Sequence, residues 1–387
     1  MPKNPNRSSL SPAEKPVRLV SPLAVPRPQR SAVEEMLEGE PFSSHKILNH
    51  FDRIKAVAAG ESVSPITVEI DPSNLCNHTC QWCVSSLSHN GDMLSFEQFD
   101  ALIDQLQSMD VKSVVLKGGG EPSVHPRFVE LLERLAEAGL GVGLITNGSF
   151  PRAEFIESVL RNIDWVRVSL DAACSETHAA IHGSRDFDRV IRNVQALAEG
   201  ATRTLVGLNF VAESRNYSEI EPFARMGRHL GVAYVSIRCV FDLEEPLPEA
   251  IRVEMVSQAR AAKAHEEESY RVFLGNFTDR YINGSSMETF PFERCLGPNL
   301  VGVEGAGGET YACCFLRGNR DFSFGNVNEQ SFEEIWNGPK RREVMAAVDR
   351  GECGHVCLGG MTANRYTLYN EILNYLALEN REHATFA

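Results

Sequence analysis

The sequence predicts an α/β protein in which a parallel sheet of six strands is followed by a smaller cysteine-rich domain. Three observations lead to this prediction. Short β-branched or apolar runs alternate with longer amphipathic stretches, polar residues or glycines directly follow those runs, and the pattern changes after Val240. Such alternation favours a parallel sheet with right-handed crossovers. The carboxyl ends of the strands then meet at one edge, where functional residues collect.

The composition is that of a globular chain. Its 387 residues, 43% hydrophobic and 23% charged, suffice for one large domain and a smaller one. The formal net charge of −14 argues against nucleic-acid binding, which needs a basic face. No apolar run approaches the roughly 18 residues of a membrane helix, and the N-terminus lacks the apolar segment of a signal peptide. We therefore expect a cytoplasmic protein that binds neither nucleic acid nor membrane.

Three segments are predicted along the chain. Residues 1–32 are rich in proline, serine and basic residues without periodicity, which is typical of a disordered tail. Residues 33–245 begin with a short helical stretch, to about Gly60, and then carry the alternating pattern. Residues 246–387 form the glycine- and cysteine-rich remainder.

The predicted elements follow in order. The strands are Ile66–Ile70, Val111–Leu116, Gly141–Thr146, Trp165–Leu170, Thr204–Val211 and Ala233–Val240. The helices between them are Ser95–Met109, Pro126–Ala138, Arg152–Arg161, Asp186–Glu199 and one opened by a capping box at Ser218–Glu221. After the sheet come a helix Glu249–Glu268, a hairpin Leu300–Ala312, a helix from the capping box at Ser331 to about Gly351, and a helix Thr362–Leu378.

Three cysteines lie in the loop after the first predicted strand. Cys76, Cys80 and Cys83 form a C-x3-C-x2-C run. Three thiolates on one short loop can bind three irons of a 4Fe–4S cluster and leave the fourth iron open to a cofactor. Structural zinc, with His78 as a fourth ligand, is the alternative, but zinc sites normally use separated pairs of ligands.

This cysteine run, with Trp82 before the third cysteine, resembles the signature of the radical S-adenosylmethionine (SAM) superfamily. The resemblance extends over Ile66–Val240 and implies a partial, TIM-like (β/α)6 barrel, which agrees with the six predicted strands. It also implies a 4Fe–4S cluster that reductively cleaves SAM to a 5′-deoxyadenosyl radical, which abstracts hydrogen from a C–H bond. We accordingly expect an electron donor, such as flavodoxin or ferredoxin, as a partner.

Residues at the ends of the predicted strands are the candidates for binding SAM. Gly119, Gly120 and Glu121 resemble the family's GGE motif, in which the carboxylate holds the methionyl amino group. The resemblance places Ser169 and Asp171 on the ribose, and residues two apart on a strand do share a face. The other candidates are Trp82 near the adenine, Asn147 beside the ribose, Asn209, and Arg238 for the methionyl carboxylate. A simple turn is the alternative for the glycines, and a helix cap for Asp171.

A second cysteine group lies in the C-terminal region. Four thiolates from separated segments can saturate another 4Fe–4S cluster, and they are Cys295, Cys313, Cys353 and Cys357. The spacing of the first two, with Gly308 between them, resembles the SPASM and twitch domains of radical SAM enzymes. This region has only five cysteines, so we expect a single auxiliary cluster, closer to the twitch arrangement. Cys314 is an alternative to Cys313, and zinc is an alternative to iron.

The substrate is inferred from the family alone. Enzymes with such a tail act on ribosomal peptides or on sugars, aminocyclitols and nucleosides. Because the segment before the barrel is short, we expect a small carbohydrate-like substrate, dehydrogenated or epimerised in a biosynthetic pathway such as that of an antibiotic. The alternatives are a peptide maturase and, in a different class, a non-catalytic metal-binding or electron-carrier protein.

Two further cysteines bear on the reaction outcome. Cys174 lies three residues after Asp171, in a loop above the predicted barrel, and is a candidate thiol hydrogen donor for an epimerase. Its alternative is a small buried residue at the start of a helix. Cys239 alternates with Ser236 and Arg238 on the sixth strand, so we expect it in the core.

Overall fold

The structure is a computed structural model that describes residues 44–240, 247–275, 292–354 and 365–377. The chain divides into two compact units, Met1–Lys46 and Ile47–Ala387. The predicted tail, residues 1–32, and the predicted ligand Cys357 lie outside the described residues.

The described part of the second unit contains ten strands and eleven α-helices. Strands β1–β10 are Thr67–Ile70, Ser113–Leu116, Gly141–Thr146, Trp165–Ser169, Leu205–Ala212, Tyr234–Cys239, Arg271–Leu274, Val301–Glu304, Glu309–Tyr311 and Ser323–Asn326. Helices α1–α11 are Phe51–Ala58, Phe96–Ser108, Phe128–Glu137, Ala153–Asn162, Ser175–His182, Phe187–Gly200, Ile220–His229, Glu249–Lys263, Phe332–Asn337, Pro339–Asp349 and Arg365–Ala377.

All ten strands belong to one sheet, in the order β10-β9-β8-β1-β2-β3-β4-β5-β6-β7. Strands β1 to β7 run parallel, and β8 pairs in parallel with β1, placing Thr67 beside Val301. The hairpin β8–β9 and strand β10 continue antiparallel. The α/β class with a parallel sheet is therefore confirmed. The C-terminal hairpin extends the same sheet, because β8 matches β1 in register.

Two predicted elements were wrong in their bounds. The helix after the sixth strand ends at Lys263 and not at Glu268. Arg271–Leu274, where no element was predicted, forms a seventh parallel strand. The helix predicted from Ser331 to Gly351 is two helices, because Pro339 has no N–H to continue the first. Within the described part of the short helical stretch predicted before the first strand, Ser44–His50 is a 3-10 helix and Phe51–Ala58 is α-helical.

The capping-box predictions had mixed outcomes. Those at Ser95 and Ser331 are confirmed, with both reciprocal hydrogen bonds present. The one at Ser218 is wrong, because a 3-10 turn precedes α7 and no side chain caps that helix. The carboxylate of Glu219 instead accepts a hydrogen bond from Ala173 N at 2.6 Å, in the loop after β4.

Side chains alternate between the two faces of the sheet, as the two-residue period of strands requires. Outward-facing residues such as Val68 and Ile70 are buried against the helices. On the inner face, the ring of Trp165 covers Gly143 and the ring of Tyr234 covers Gly207, where a Cβ would overlap each ring. The outer face of β8 packs on Trp336, which is fully buried. No helix among the described residues is both long and apolar enough to cross a bilayer.

Candidate active site

The loop that carries the first three cysteines is bonded to the segment after β2. Gly120 N donates to Ser73 O at 2.9 Å, and Glu121 N donates to Leu75 O at 2.8 Å. A Cβ on Gly120 would overlap the carbonyl of Leu75. The sequence analysis named these glycines, with Glu121, as candidates for binding SAM. In the structure the chain's own cysteine loop makes the close approach, so they fix the loop's position.

The three thiols of this loop are close enough to influence one another. Burial raises the pKa of Cys76 to about 12, and the negative charges of Glu121, Cys80 and Cys83 add to that rise against a backbone hydrogen bond from His78. Burial likewise raises the pKa of Cys83. Thiols in such surroundings ionise when a bound metal supplies positive charge. Three converging sulfurs on one loop therefore fit a cluster with one open iron.

Glu121 joins the ends of β2 and β3. Its carboxylate is buried and accepts hydrogen bonds from Thr146 Oγ1 at 2.6 Å, Asn147 N at 2.7 Å and Ser123 N at 3.1 Å. Burial raises its pKa, although these three hydrogen bonds favour the charged form. A carboxylate has about four acceptor positions, and these bonds occupy three of them; the side chain of Ser123 also favours the charged form.

The other candidates for SAM binding lie around the same edge of the sheet. Asn147 donates to Asn77 Oδ1 of the cysteine loop at 2.7 Å. Ser169 and Asn209 are paired neighbours on β4 and β5. Arg215 lies over the ring of Trp82, 5.2 Å from its centroid, and so covers one face of the indole. Their contacts with SAM remain predictions.

Asp171, two residues after the end of the fourth strand, has a left-handed backbone, φ 54°. Its Oδ1 accepts from Val211 N at 2.7 Å, and its Oδ2 lies 3.2 Å from His182 Nε2. Oδ1 therefore has a hydrogen-bond partner, whereas Oδ2 lies within ion-pair distance of His182 Nε2 without hydrogen-bond geometry. The ribose contact that the resemblance assigns to Asp171 remains a prediction. Arg238, the candidate for the methionyl carboxylate, is a half-buried residue on β6, and that contact also remains a prediction.

Three buried histidines, one from the cysteine loop and two from α5, form a cluster beside Cys80. No role was predicted for the two on α5. The rings of His178 and His182 stack at 4.7 Å, and His78 meets both edge-on. Asp186 lies 3.1 Å from His78 Nε2 and from His178 Nε2. Hydrogen bonds from Ser149, Ser184 and His78 overcome burial and hold the pKa of Asp186 well below its usual range. The four-residue spacing of His178 and His182 is the sequence feature that could have indicated this cluster.

A buried group of four charges connects the end of β1 to the C-terminal region. Lys117 Nζ lies 2.6 Å from Glu69 Oε2, and the guanidinium of Arg317 pairs with Asp71 and lies 3.7 Å from Glu69. Burial raises the pKa of Asp71 to about 6, although Arg317 and Lys117 favour its charged form. Two acids and two bases leave this group nearly neutral.

Three of the predicted auxiliary-cluster ligands are described, and all three border the main hydrophobic cluster. Cys295, Cys313 and Cys353 are half-buried and pack against the main hydrophobic cluster. Cys295 also acts on the pKa of Cys313, which the neighbouring Cys314 and burial raise. The pKa of Cys314 is lowered to about 6, mainly by a hydrogen bond with Cys313. The charges of Lys117 and Arg317 lower it further, against burial and Glu69. The two adjacent cysteines therefore face different surroundings.

The two remaining cysteines differ in burial. Cys239 is buried in the main core, as predicted. Cys174 is half-buried, and its Sγ lies 3.4 Å from Thr177 Oγ1 and 3.5 Å from Glu219 Oε1. Its role as a hydrogen donor remains a prediction.

Two family models match this chain. The Radical SAM superfamily model matches residues 70–226, which run from the end of β1 into α7, and the iron-sulfur cluster-binding SPASM model matches residues 305–358. The chain is a radical SAM protein with a C-terminal SPASM domain. As a radical SAM enzyme it uses SAM and a 4Fe–4S cluster, and its SPASM domain implies auxiliary iron–sulfur clusters.

Several known proteins are similar over most of the chain. The mycofactocin maturase MftC of Mycobacterium tuberculosis is 28% identical over 322 residues, which cover 78% of this chain and 80% of that protein. The antilisterial bacteriocin subtilosin biosynthesis protein AlbA of Bacillus subtilis is 25% identical, covering 81% and 72%. The crystal structure of Streptococcus suis SuiB bound to precursor peptide SuiA superimposes with a TM-score of 0.59 at 15% identity, covering 78% and 71%. This last likeness shows the fold.

Proposed function

We propose that this radical SAM enzyme modifies a ribosomal peptide. The observation that carries the proposal is the likeness to MftC and AlbA along most of both chains, since one is named as a maturase and the other as a bacteriocin biosynthesis protein. SuiB, which shares the fold, was solved with a precursor peptide. These relatives favour the peptide alternative over the carbohydrate-like substrate that the sequence analysis preferred.

The chain's own residues have two roles at the ends of the strands, cluster binding and SAM binding. Cys76, Cys80 and Cys83 would hold the cluster, and Glu121 would accept a hydrogen bond from the SAM amino group. When bound, the cluster and SAM supply a 5′-deoxyadenosyl radical that removes a hydrogen atom from the substrate. An electron donor such as flavodoxin or ferredoxin belongs to the proposal, because each cleavage consumes one electron.

One arginine on the inner face of the sheet supports a substrate rich in carbonyl or carboxylate oxygens. Arg167 lies on β4, two residues before Ser169, and its buried Nε has no hydrogen-bond partner among the described residues. No described carboxylate lies within ion-pair distance of its guanidinium, which lies over the ring of Trp165, 5.9 Å from the ring centroid. A buried donor without a partner is costly unless a ligand satisfies it. A peptide offers such an acceptor at every residue.

We also propose Cys313, and not Cys314, as the auxiliary-cluster ligand. Cys314 and burial raise the pKa of Cys313 most, and Cys295, the first ligand of the predicted set, is close enough to raise it further. Cys314 is instead influenced by the charged group formed by Glu69, Lys117 and Arg317. A ligand to the auxiliary cluster must converge with Cys295 and Cys353, and Cys313 is the one of the two that shares the surroundings of Cys295.

The test compares two kinds of substrate in the same assay. The full chain is reconstituted anaerobically with iron and sulfide, reduced with dithionite and given SAM. Candidate peptides encoded beside its gene, or a panel of sugars, aminocyclitols and nucleosides, are then added. We expect a peptide to stimulate 5′-deoxyadenosine formation and to change mass. Stimulation by a carbohydrate with no peptide modified would overturn the peptide proposal while leaving the radical SAM assignment intact.

A further inference from the structure

The sulfur of Cys80 has a histidine neighbour that comes from a different part of the chain. His182, the last residue of α5, places Nδ1 3.2 Å from Cys80 Sγ. Both residues lie at the carboxyl edge of the sheet, one after β1 and the other after β4. Among the described cysteines, Cys80 is the one whose sulfur contacts an imidazole ring of this buried histidine cluster.

Backbone contacts on both sides of this pair fix its geometry. Thr79 N donates to His182 O at 2.9 Å, and Gln81 N donates to Ile181 O at 3.3 Å. The residues before and after Cys80 are thus bonded to the last carbonyls of α5, which would otherwise lack partners at the helix end. Gly183, with φ 62°, ends the helix, and a Cβ there would overlap Thr79. The helix end and the cysteine loop therefore form one docked unit.

Asp171 holds the other side of the imidazole. Its Oδ2 lies 3.2 Å from His182 Nε2, while its Oδ1 accepts from Val211 N at 2.7 Å. The carboxylate is buried and is anchored by a backbone amide, so it cannot rotate away without losing that bond. The carboxylate lies within ion-pair distance of Nε2 without hydrogen-bond geometry, so it acts on the ring by its charge, on the side opposite the cysteine sulfur.

We propose that His182 is a positioning residue that donates a hydrogen bond from Nδ1 to the cluster-bound sulfur of Cys80, with Asp171 orienting its ring. The inference rests on the radical SAM cluster and is independent of the substrate. A thiolate sulfur bound to iron accepts hydrogen bonds, and such bonds stabilise the reduced cluster and raise its reduction potential. His182 therefore eases delivery of the electron to the cluster. Asp171 acts through His182, which differs from the ribose contact implied by the family resemblance.

The experiment measures the potential of the SAM-binding cluster in three variants of the full chain. His182→Leu removes the donor at similar volume, and His182→Asn retains an amide donor near the position of Nδ1. His178→Gln is the matched control, since His178 lies one turn earlier, is equally buried and pairs with Asp186. Each protein is reconstituted, its iron and zinc contents are determined, and its midpoint potential is measured by redox titration monitored by electron paramagnetic resonance.

We expect full iron content in all variants. The midpoint potential should shift to more negative values in His182→Leu, recover at least in part in His182→Asn, and stay unchanged in His178→Gln. An unshifted potential in His182→Leu, or an equal shift in His178→Gln, would overturn the proposal. Loss of metal in His182→Leu but not in His178→Gln would also overturn it, because His182 would then be a ligand, as the approach of His78, Cys80 and His182 allows.

Discussion

Glu121 shows how one buried carboxylate combines a structural and a binding task. Its oxygens accept from the side chain of Thr146 and the backbone of Asn147, and it lies close enough to Cys76 to raise that thiol's pKa. The residue therefore links the end of β3 to the cysteine loop.

We predict that Glu121→Ala weakens SAM binding while the iron content stays unchanged. Loss of the carboxylate removes the acceptor for the amino group and leaves buried donors unsatisfied, which costs about 1–3 kcal/mol of stability. Calorimetric titration of the reconstituted variant with SAM, with iron analysis in parallel, measures both effects. A variant that lost its iron as well would show that Glu121 acts through the fold of the loop.

Helix α5 is the element whose importance was least evident from the sequence. Its carboxyl end bonds the backbone on both sides of Cys80 and carries His178 and His182. The sequence analysis placed no helix here, because eight residues with a weak apolar pattern give little periodic signal. Its position depends on contacts with the cysteine loop, which is about a hundred residues earlier in the chain.

We predict that Gly183→Ala destabilises the cysteine loop more than Gly139→Ala does elsewhere. Both glycines have left-handed backbones, φ 62° and φ 68°, so each substitution costs roughly 1–2 kcal/mol of backbone strain. A Cβ at Gly139 meets nothing within 4 Å, whereas one at Gly183 overlaps Thr79. Thermal unfolding and the iron retained after desalting compare the two. Equal losses would mean that the docked contact is unimportant.

The local patterns predicted the sheet well, because each of the six central strands is a mainly apolar run, and all but β4 are buried along most of their length. The six central strands and the hairpin at β8–β9 were predicted for this reason. Strand β7, Arg271–Leu274, was missed because it is short and begins with an exposed arginine. The joining of β8 to β1 depends on register between segments more than two hundred residues apart, which no local pattern records.

The site was predictable in part for the same physical reason. Cysteine spacing and strand ends are local features, so the cluster loop and Glu121 could be proposed from the sequence. The partners of Cys80 and Asp71 come from α5 and from Arg317, which are far away in the chain. Only the fold brings these groups together.

At the scale of the whole molecule, one buried ion pair joins the two regions matched by the family models. Arg317 belongs to the SPASM match and Asp71 to the radical SAM match. The guanidinium is 3% exposed and the carboxylate is fully buried. Arg317 also donates from NH1 to Cys314 O at 3.3 Å, beside the proposed ligand Cys313. The pair therefore positions the auxiliary-cluster loop against the end of β1.

We predict that Arg317→Met destabilises the protein by about 3–5 kcal/mol, since it leaves Asp71 buried without its main counter-charge. Adding Asp71→Asn should restore part of the loss. Arg320→Met is the control, because the side chain of Arg320 is 86% exposed. Chemical unfolding of the four proteins measures the differences. Similar stability for Arg317→Met and Arg320→Met would contradict the structural role of the pair.

A second prediction at this scale separates the two clusters. Cys295→Ala combined with Cys353→Ala should remove about half of the iron, because the auxiliary cluster would lose two of its four thiolates. SAM cleavage without substrate should persist, because Cys76, Cys80 and Cys83 are unchanged. Iron analysis and 5′-deoxyadenosine assays measure the two effects. Full iron content in the double variant would place the auxiliary ligands elsewhere.

The central claim is that this radical SAM enzyme abstracts hydrogen from a peptide, and deuterium transfer tests it most directly. Candidate peptides encoded beside the gene are prepared with perdeuterated residues and incubated with the reconstituted chain, dithionite and SAM, and Cys80→Ala serves as the control. We predict deuterium in the 5′-deoxyadenosine made by the unaltered chain, and no 5′-deoxyadenosine above background from the variant. Cleavage of SAM at an undiminished rate by Cys80→Ala, or deuterium transfer from labelled carbohydrates and from no peptide, would contradict the account.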